Sequence, residues 1–352
     1  MNSRDRKLAE SSELITLVSG CPDESSCGVY DYSGKLAEAL IEAGVAAIVN
    51  NAKDWSIGGI VRMNLALRRS SVIHIQYPSL AFENKKAPYF AFFGLLLKSK
   101  VVTFHEFSTK SQIGKILSMP LLMLANSIIV TSRQEAEAIK SVYKFARRKL
   151  SIIPIGSNIC EAIVPGKCFD VVYFGQIRAN KGIEQYLDIL EAMPHLSAAF
   201  LGGFASDDDA ECRLLVERAR SVGALVKINE ENKTIARFIA SSRLAVLPFP
   251  DGLTERRGSA LAAMINRTLV VSTRAKGGHS QFDDLAELVD DVSEMPAAIS
   301  SALANMNAHK NKIERAYTYS RDRSWSAIAQ EHLSIYRAIM KKKPRGTAVP
   351  AN

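Results

Sequence analysis

Two stretches of this 352-residue chain combine charged and small residues in a pattern suited to holding an anion. In DGLTERRGSA (251–260), two acids (Asp251 and Glu255), two arginines (Arg256 and Arg257) and the small pair Gly258-Ser259 follow an apolar run that ends in Pro248-Phe249-Pro250. In GQIRANKG (175–182), Arg178 and Lys181 stand between an apolar run and a helical period. A glycine turn that leads into a helix offers backbone N–H groups without intrahelical partners and the positive end of the helix dipole. Arg178, which can grip two oxygens at once, and Lys181, a compact point charge, complete a clamp for a diphosphate. The competing reading of DGLTERRGSA is a solvated turn with a helix cap.

Such residues act only if the fold brings them to one place. Short β-branched apolar runs occur at 14–20, 45–50, 72–78, 100–107, 127–132 and 150–156, and helical periods such as 34–43 and 133–143 lie between them. Continuous apolar strands alternating with amphipathic helices predict a parallel sheet covered on both faces. The segment 158–168 interrupts the alternation. It resumes at 170–177, 197–203, 224–229, 243–250 and 268–275, with a helical stretch at 183–193. The predicted fold class is therefore α/β, with two doubly wound Rossmann-like domains facing a cleft. The N-terminal domain spans 1–162 and the second 163–318, followed by a helix at 319–340 and a basic tail at 341–352. Ligands of open parallel sheets bind beyond the carboxyl ends of the strands. The informative residues are then those just after each run: Gly28 in CGVYDY, His105 in HEFS, Arg178 with Lys181, and the 251–260 stretch.

Composition narrows the partners. No apolar run, including APYFAFFGLLL (87–97), reaches the roughly 18 residues of a membrane span, and MNSRDRKLAESSE has no apolar core of the signal-peptide kind. A cytoplasmic protein is expected. The five cysteines at 21, 27, 160, 168 and 212 form no C-x-x-C pair, which argues against a zinc site or a disulfide framework. A formal charge of +9 points to an anionic partner, whether nucleic acid, membrane surface or phosphorylated substrate. The chain has no aromatic-basic RNA-binding stretch and no zinc-finger spacing, so nucleic acid is not expected. Asp207-Asp208-Asp209 sits between Gly202-Gly203 and a helical stretch, where acids favour a helix start, and it is read as a cap and not as a metal ligand set. The cluster Lys341 to Arg345 reads as a solvated tail, or as a weak attractor of anionic lipid headgroups, at about 1 kcal/mol per basic residue.

The order of FGQIRANKGIEQYL, LPFPDGLTERRGSALAAM and VVST resembles the donor half of the family 4 glycosyltransferases, which have the GT-B fold. CGVYDYSGKLAEAL, HIQYP, FHEFS and the closing SWSAIAQEHLSIY are similar to that family too, so the likeness runs from about Leu14 to Tyr336. It implies an enzyme that moves a sugar from a nucleotide-diphosphate donor to a saccharide or lipid-linked saccharide acceptor, usually with retention, in cell-surface polysaccharide or glycoconjugate synthesis. It also implies that the C-terminal helix crosses back to the first domain, and that the nucleotide sugar is a co-substrate, with no cofactor and no metal. The lipid-linked acceptor would suit a weak, peripheral association with the inner face of the membrane. By position, Glu255 matches the first acid of the family's E-x7-E motif, which contacts the donor sugar. Lys181 and Arg178 match the basic residues on the diphosphate. Gly28 matches the glycine loop near that diphosphate, and His105 a cleft histidine beside the sugar. Arg257, Gly258 and Ser259 fall at the helix start that faces the donor phosphate. Two positions depart from the family: Gln176 replaces its usual arginine, and Ala263 replaces the second acid, the one that binds ribose. Other readings are a GT-B epimerase or phosphorylase, and a catalytically silent homologue serving as an assembly or regulatory subunit.

Overall fold

The computed structural model describes residues 13–21, 28–82, 98–177, 181–203, 210–276 and 281–341. Arg178, Cys27, Asp207 to Asp209, the apolar stretch 87–97 and the tail beyond Lys341 lie outside the described residues. The chain divides into two compact units, Met1–Ile155 with Trp325–Asn352, and Gly156–Ser324.

The first unit is built on strands β1 (Leu14–Ser19), β2 (Ala46–Asn51), β3 (Val72–Tyr77), β4 (Ser99–Phe104), β5 (Ser127–Val130) and β6 (Leu150–Ile152). They pair in parallel in the order β2-β1-β3-β4-β5-β6. Its helices are α1 (Gly28–Glu42), α2 (Ile57–Leu67), α3 (Gln112–Leu124) and α4 (Arg133–Val142). The period-2 alternation of a strand sends Ile73, Ile75, Val102, Phe104, Ile128 and Val130 to one face, where they pack with Met63 and Leu67 of α2 and Leu121 and Leu122 of α3. Val72, Val101 and Ile129 go to the other face, against Leu36 and Leu40 of α1. Apolar side chains on both faces are why these strands read as unbroken hydrophobic runs.

The second unit repeats the design. Strands β7 (Phe169–Gln176), β8 (Ala198–Gly203), β9 (Leu225–Ile228), β10 (Ser242–Leu247), β11 (Leu269–Thr273) and β12 (Glu287–Val289) are parallel, in the order β12-β11-β10-β7-β8-β9. They alternate with α5 (Ile183–Ala192), α6 (Ala210–Ser221), α7 (Asn232–Ala240), α8 (Gly258–Ile265), α9 (Met295–Ala304) and α10 (Lys310–Arg321). The predicted two-domain α/β architecture is present. The three-residue strand β12 was not predicted, and α1 begins at Gly28, six residues before the periodic stretch read from the sequence.

The last helix, α11 (Trp325–Lys341), belongs to the first unit and seals the α1 face of its sheet with Ile328, Leu333 and Tyr336. It also brings His332 into a fully buried polar cluster. His74 bonds the Tyr336 hydroxyl through Nδ1 (2.6 Å) and the Thr103 hydroxyl through Nε2 (2.7 Å). His332 donates from Nδ1 to the Ile328 carbonyl (2.8 Å), and its Nε2 lies 3.4 Å from the Tyr32 hydroxyl of α1. Burial disfavours the charged imidazolium. It pulls His332 down to about 4 and His105 to about 3, the latter also repelled by His332, and holds His74 well below the usual range.

The sign of the resulting pH dependence follows from linkage. The unfolded histidines take up protons below about pH 6.5 while the folded ones refuse them, so stability falls as pH drops through 6.5 and levels off only near the folded values. By pH 5 the loss is about 2 kcal/mol per histidine. We predict that urea denaturation loses midpoint steeply between pH 6.5 and 5, above the range in which carboxylates titrate, and that His332→Asn, although destabilised, has a shallower slope in that window. An unchanged slope in the variant would show that the buried cluster is not its source.

Candidate functional site

In the second unit the loops that leave β7, β10 and β11 are locked to one another. Gly182, the residue before α5, has a left-handed backbone (φ 75°), and a Cβ built there would lie 1.9 Å from the Pro248 carbonyl oxygen at the end of β10. Only glycine permits both features. Gly252 (φ 82°) does the same one loop along, where a Cβ would come within 2.5 Å of backbone atoms of Arg274 and Ala275 beyond β11. Hydrogen bonds complete the junction. Leu253 N–H donates to the Thr273 carbonyl (2.9 Å), Ser272 Oγ donates to the Leu247 carbonyl (2.5 Å), and the Thr273 hydroxyl donates to the Phe249 carbonyl.

This junction positions the sequence-predicted residues of the second unit. Lys181 precedes Gly182, and its carbonyl accepts a bond from the buried Tyr173 hydroxyl of β7 (3.2 Å). Arg257 pairs with Asp251 and lies over the Phe249 ring, 4.2 Å from its centroid. Its guanidinium is thus held inside the 251–260 loop. Glu255 accepts a bond from Gln281 Nε2 (2.5 Å) and is close enough to Tyr319 of α10 to help burial raise that phenol to about 12. Gly258 and Ser259 open α8, as predicted. The N-cap residue Arg257 makes no side-chain cap bond, and a Cβ at Gly258 would meet nothing within 4 Å. A helix start whose N-cap side chain makes no cap bond, with no described atom within 4 Å of a Cβ at its first residue, can receive an anion.

The first unit carries the other two predicted residues. Gly28 is the first residue of α1, and a Cβ built there would meet no described atom within 4 Å. His105 follows the last residue of β4, and its N–H donates to the Tyr77 carbonyl at the end of β3 (2.9 Å). The loop beyond is tied down by buried Glu135 of α4, which accepts from Ser108 N–H (2.9 Å) and from its hydroxyl (2.5 Å). The His105 ring meets Tyr32 of α1 edge-on at 5.0 Å, and Nε2 donates to Gln76 Oε1 (2.9 Å). In the neutral ring that bond leaves Nδ1 as an acceptor. Burial and the neighbouring His332 hold His105 at a folded value of about 3, so at neutral pH it is an uncharged hydrogen-bonding group and a weak proton acceptor.

Sequence reasoning missed the partners. Asp251 and Phe249 for Arg257, Gln281 for Glu255, and His74 and His332 behind His105 carried no local signal. Ala263, the departure from the ribose-binding acid, is 1% exposed on the packed side of α8.

In sequence, no family model and no curated protein matches the chain. In structure it is similar to a glycosyltransferase from Rickettsia africae ESF-5, with 13% identity, 94% of this chain and 99% of that one covered, and a TM-score of 0.69. It is also similar to the catalytic domain of starch synthase IV from Arabidopsis thaliana, solved with ADP and acarbose (10% identity, 94% and 99% covered, TM-score 0.63). A third similar structure is an alpha-glucosyltransferase solved with UDP and a 13-mer DNA (14% identity, 93% and 100% covered, TM-score 0.62). At these identities the likeness establishes the fold, which is GT-B with two Rossmann-like domains.

The loop junction makes a direct prediction. Gly182→Ala should cost more than about 3 kcal/mol, because the methyl group collides with a backbone carbonyl and the backbone is strained. Gly258→Ala, with open space and a helical position, should stay within about 1 kcal/mol of the parent. Chemical denaturation of both variants checks the contrast, and equal effects would remove the Gly182–Pro248 contact as the organiser of the loops.

Proposed function

We propose that this protein is a nucleotide-sugar-dependent glycosyltransferase that moves a sugar from a nucleotide-diphosphate donor to an acceptor hydroxyl, with retention, in cell-surface polysaccharide or glycoconjugate synthesis. The observation that carries the reading is the loop junction of the second unit: the loops bearing Lys181 and Glu255 leave β7 and β10 and meet through Gly182 and Pro248, and the second of them leads into the start of α8. The GT-B fold supports it, and two similar structures were solved with UDP or ADP. Retention and the polysaccharide context rest on the resemblance of the sequence motifs alone.

In this reading Lys181 and the amides of Gly258 and Ser259 stabilise the departing diphosphate, whose charge grows in the transition state. Arg178 adds to that charge. Arg257, occupied by Asp251 and Phe249, shapes the loop and contributes its positive field. Glu255 orients the donor sugar, and Gln281 presets its carboxylate. Neutral His105 accepts a hydroxyl hydrogen bond through Nδ1. Positive side chains and helix dipole neutralise the leaving group, so no metal is required. The acceptor is a saccharide or a lipid-linked saccharide. One observation favours a second reading, a silent homologue acting as an assembly or regulatory subunit: position 263 has no carboxylate to hold a ribose.

Two variants test the roles. Lys181→Ala should weaken calorimetric binding of UDP or ADP, whichever the protein takes, by about 1.5–3 kcal/mol, the scale of a hydrogen bond to a charged group. Unchanged affinity removes Lys181 from the diphosphate. Glu255→Gln should lower turnover at least tenfold while leaving nucleoside diphosphate affinity near the parent value, because its contacts lie on the sugar. Parental turnover in that variant contradicts the assignment. Nucleotide binding by the parent with no sugar transfer or hydrolysis would favour the silent reading.

A further inference from the structure

Two helices on the same side of the first unit's sheet are apolar on their outward faces as well as their inward ones. The inward residues Met63 and Leu67 of α2 and Leu121 and Leu122 of α3 share one core. On the opposite side, α2 presents Ile57 (85% exposed), Val61 and Leu65, a stripe at i, i+4 and i+8. The outward face of α3 carries Ile113 (71% exposed), Ile116 (62%), Leu117 and Met123 at helical spacing. Scattered exposed apolar residues are ordinary, but a helix that is hydrophobic all round is expected where something apolar covers it. The eleven residues of α2 and thirteen of α3 contain no acid, and one cation each, Arg62 and Lys115.

The rim of this layer is basic. A short 3-10 segment, Lys144–Lys149, ends in Arg147-Arg148-Lys149 and exposes Phe145 beside them. It is fastened to α3: Tyr143 just before it donates its hydroxyl to the Lys115 carbonyl (2.9 Å), and Lys149 Nζ donates to the carbonyls of Met123 (3.1 Å) and Ala125 (2.9 Å). The nearby acid Glu137 is already paired with Lys140 (2.9 Å). An apolar surface bordered by cations has the chemistry of an interfacial helix, which seats its apolar residues among acyl chains and its basic residues at headgroup phosphates. A second copy of the chain fits less well, since it would bring the same basic rim and, on these two helices, no acid to pair with it.

We infer that the outward face of α2 and α3, with the basic segment 144–149, docks on an anionic lipid bilayer. The inference is independent of the donor chemistry proposed for the second unit. It assigns the membrane contact to this folded layer and not to the basic tail.

Flotation of the full chain with vesicles, without nucleotide, tests it. The parent should float with vesicles of phosphatidylcholine containing roughly one-third phosphatidylglycerol, less so with phosphatidylcholine alone, and less as salt rises. Ile113→Asp with Ile116→Asp should lower partitioning at least tenfold. Arg147→Ala with Arg148→Ala should lower it by about tenfold or more, at roughly fivefold per basic residue, and flatten the salt dependence. All four positions are exposed, so both variants should keep the parental melting temperature and any nucleotide binding. Lys342→Ala with Lys343→Ala should float like the parent. The proposal is overturned if the parent does not bind anionic vesicles, if the α3 variants bind as the parent does, or if the tail variant alone loses binding. It is equally overturned if the parent is a dimer that Ile113→Asp with Ile116→Asp converts to a monomer without vesicle binding, which would give the face to a second copy.

Discussion

The approach of Gly182 to the Pro248 carbonyl is the contact on which the candidate donor site depends. Two strand-exit loops from neighbouring parallel strands ordinarily sit a side chain apart. Here a left-handed residue without a Cβ brings them into backbone contact, and Gly252 extends the contact to a third loop. Loops are usually the most mobile parts of an α/β domain, whereas catalytic groups must be held to within about 0.5 Å. Knitting three loops through their backbones reconciles these demands. Lys181, Glu255 and the start of α8 then inherit the rigidity of the sheet without being part of it.

The first unit reaches the same end by different means. His105 is fixed by burial and by a chain of neutral polar partners that begins at Gln76 and is continued by His74, His332 and Tyr336. A buried histidine with a second histidine nearby cannot charge at neutral pH, and this restricts His105 to donating and accepting hydrogen bonds. The helix that closes the cluster, α11, lies at the far end of the chain. Docking of the C-terminal segment thereby adds to the burial that keeps a candidate site residue uncharged.

How much of this was legible in the sequence follows from which forces are local. The strands were readable because burial on both faces makes each one a continuous apolar run, and the placement of Lys181, Glu255 and His105 in strand-exit loops was readable from the same runs. β12 was missed since three residues, Glu287 to Val289, carry too little pattern. The start of α1 was missed because Gly28 to Ser33 lacks a strong apolar period. The partnership of His74 with Tyr336 spans 262 positions, and nothing at either end signals the other. The same holds for Gln281 and Glu255. The clash that makes Gly182 necessary is a tertiary fact, whereas its glycine turn is a sequence fact.

Ala263 shows where a motif comparison and a packing argument part. As a motif, alanine in place of an acid suggests a lost ribose contact and hence lost activity. In the fold, residues Ala260 to Met264 of α8 are all buried. The helix is held by the Ser320 hydroxyl donating to the Leu261 carbonyl (3.0 Å) and by Asn266, which ties its end to Cys160 and Ala162. A carboxylate at 263 would enter that packed layer and need hydrogen-bond partners there, or lose its charge. Alanine is what a tightly seated helix selects at this position, so its presence is a statement about packing before it is one about catalysis. The start of the same helix, five residues earlier, is unaffected by the exchange. On the proposed reading, donor affinity comes from charge at the diphosphate end, and the ribose end contributes through residues other than 263 or not at all.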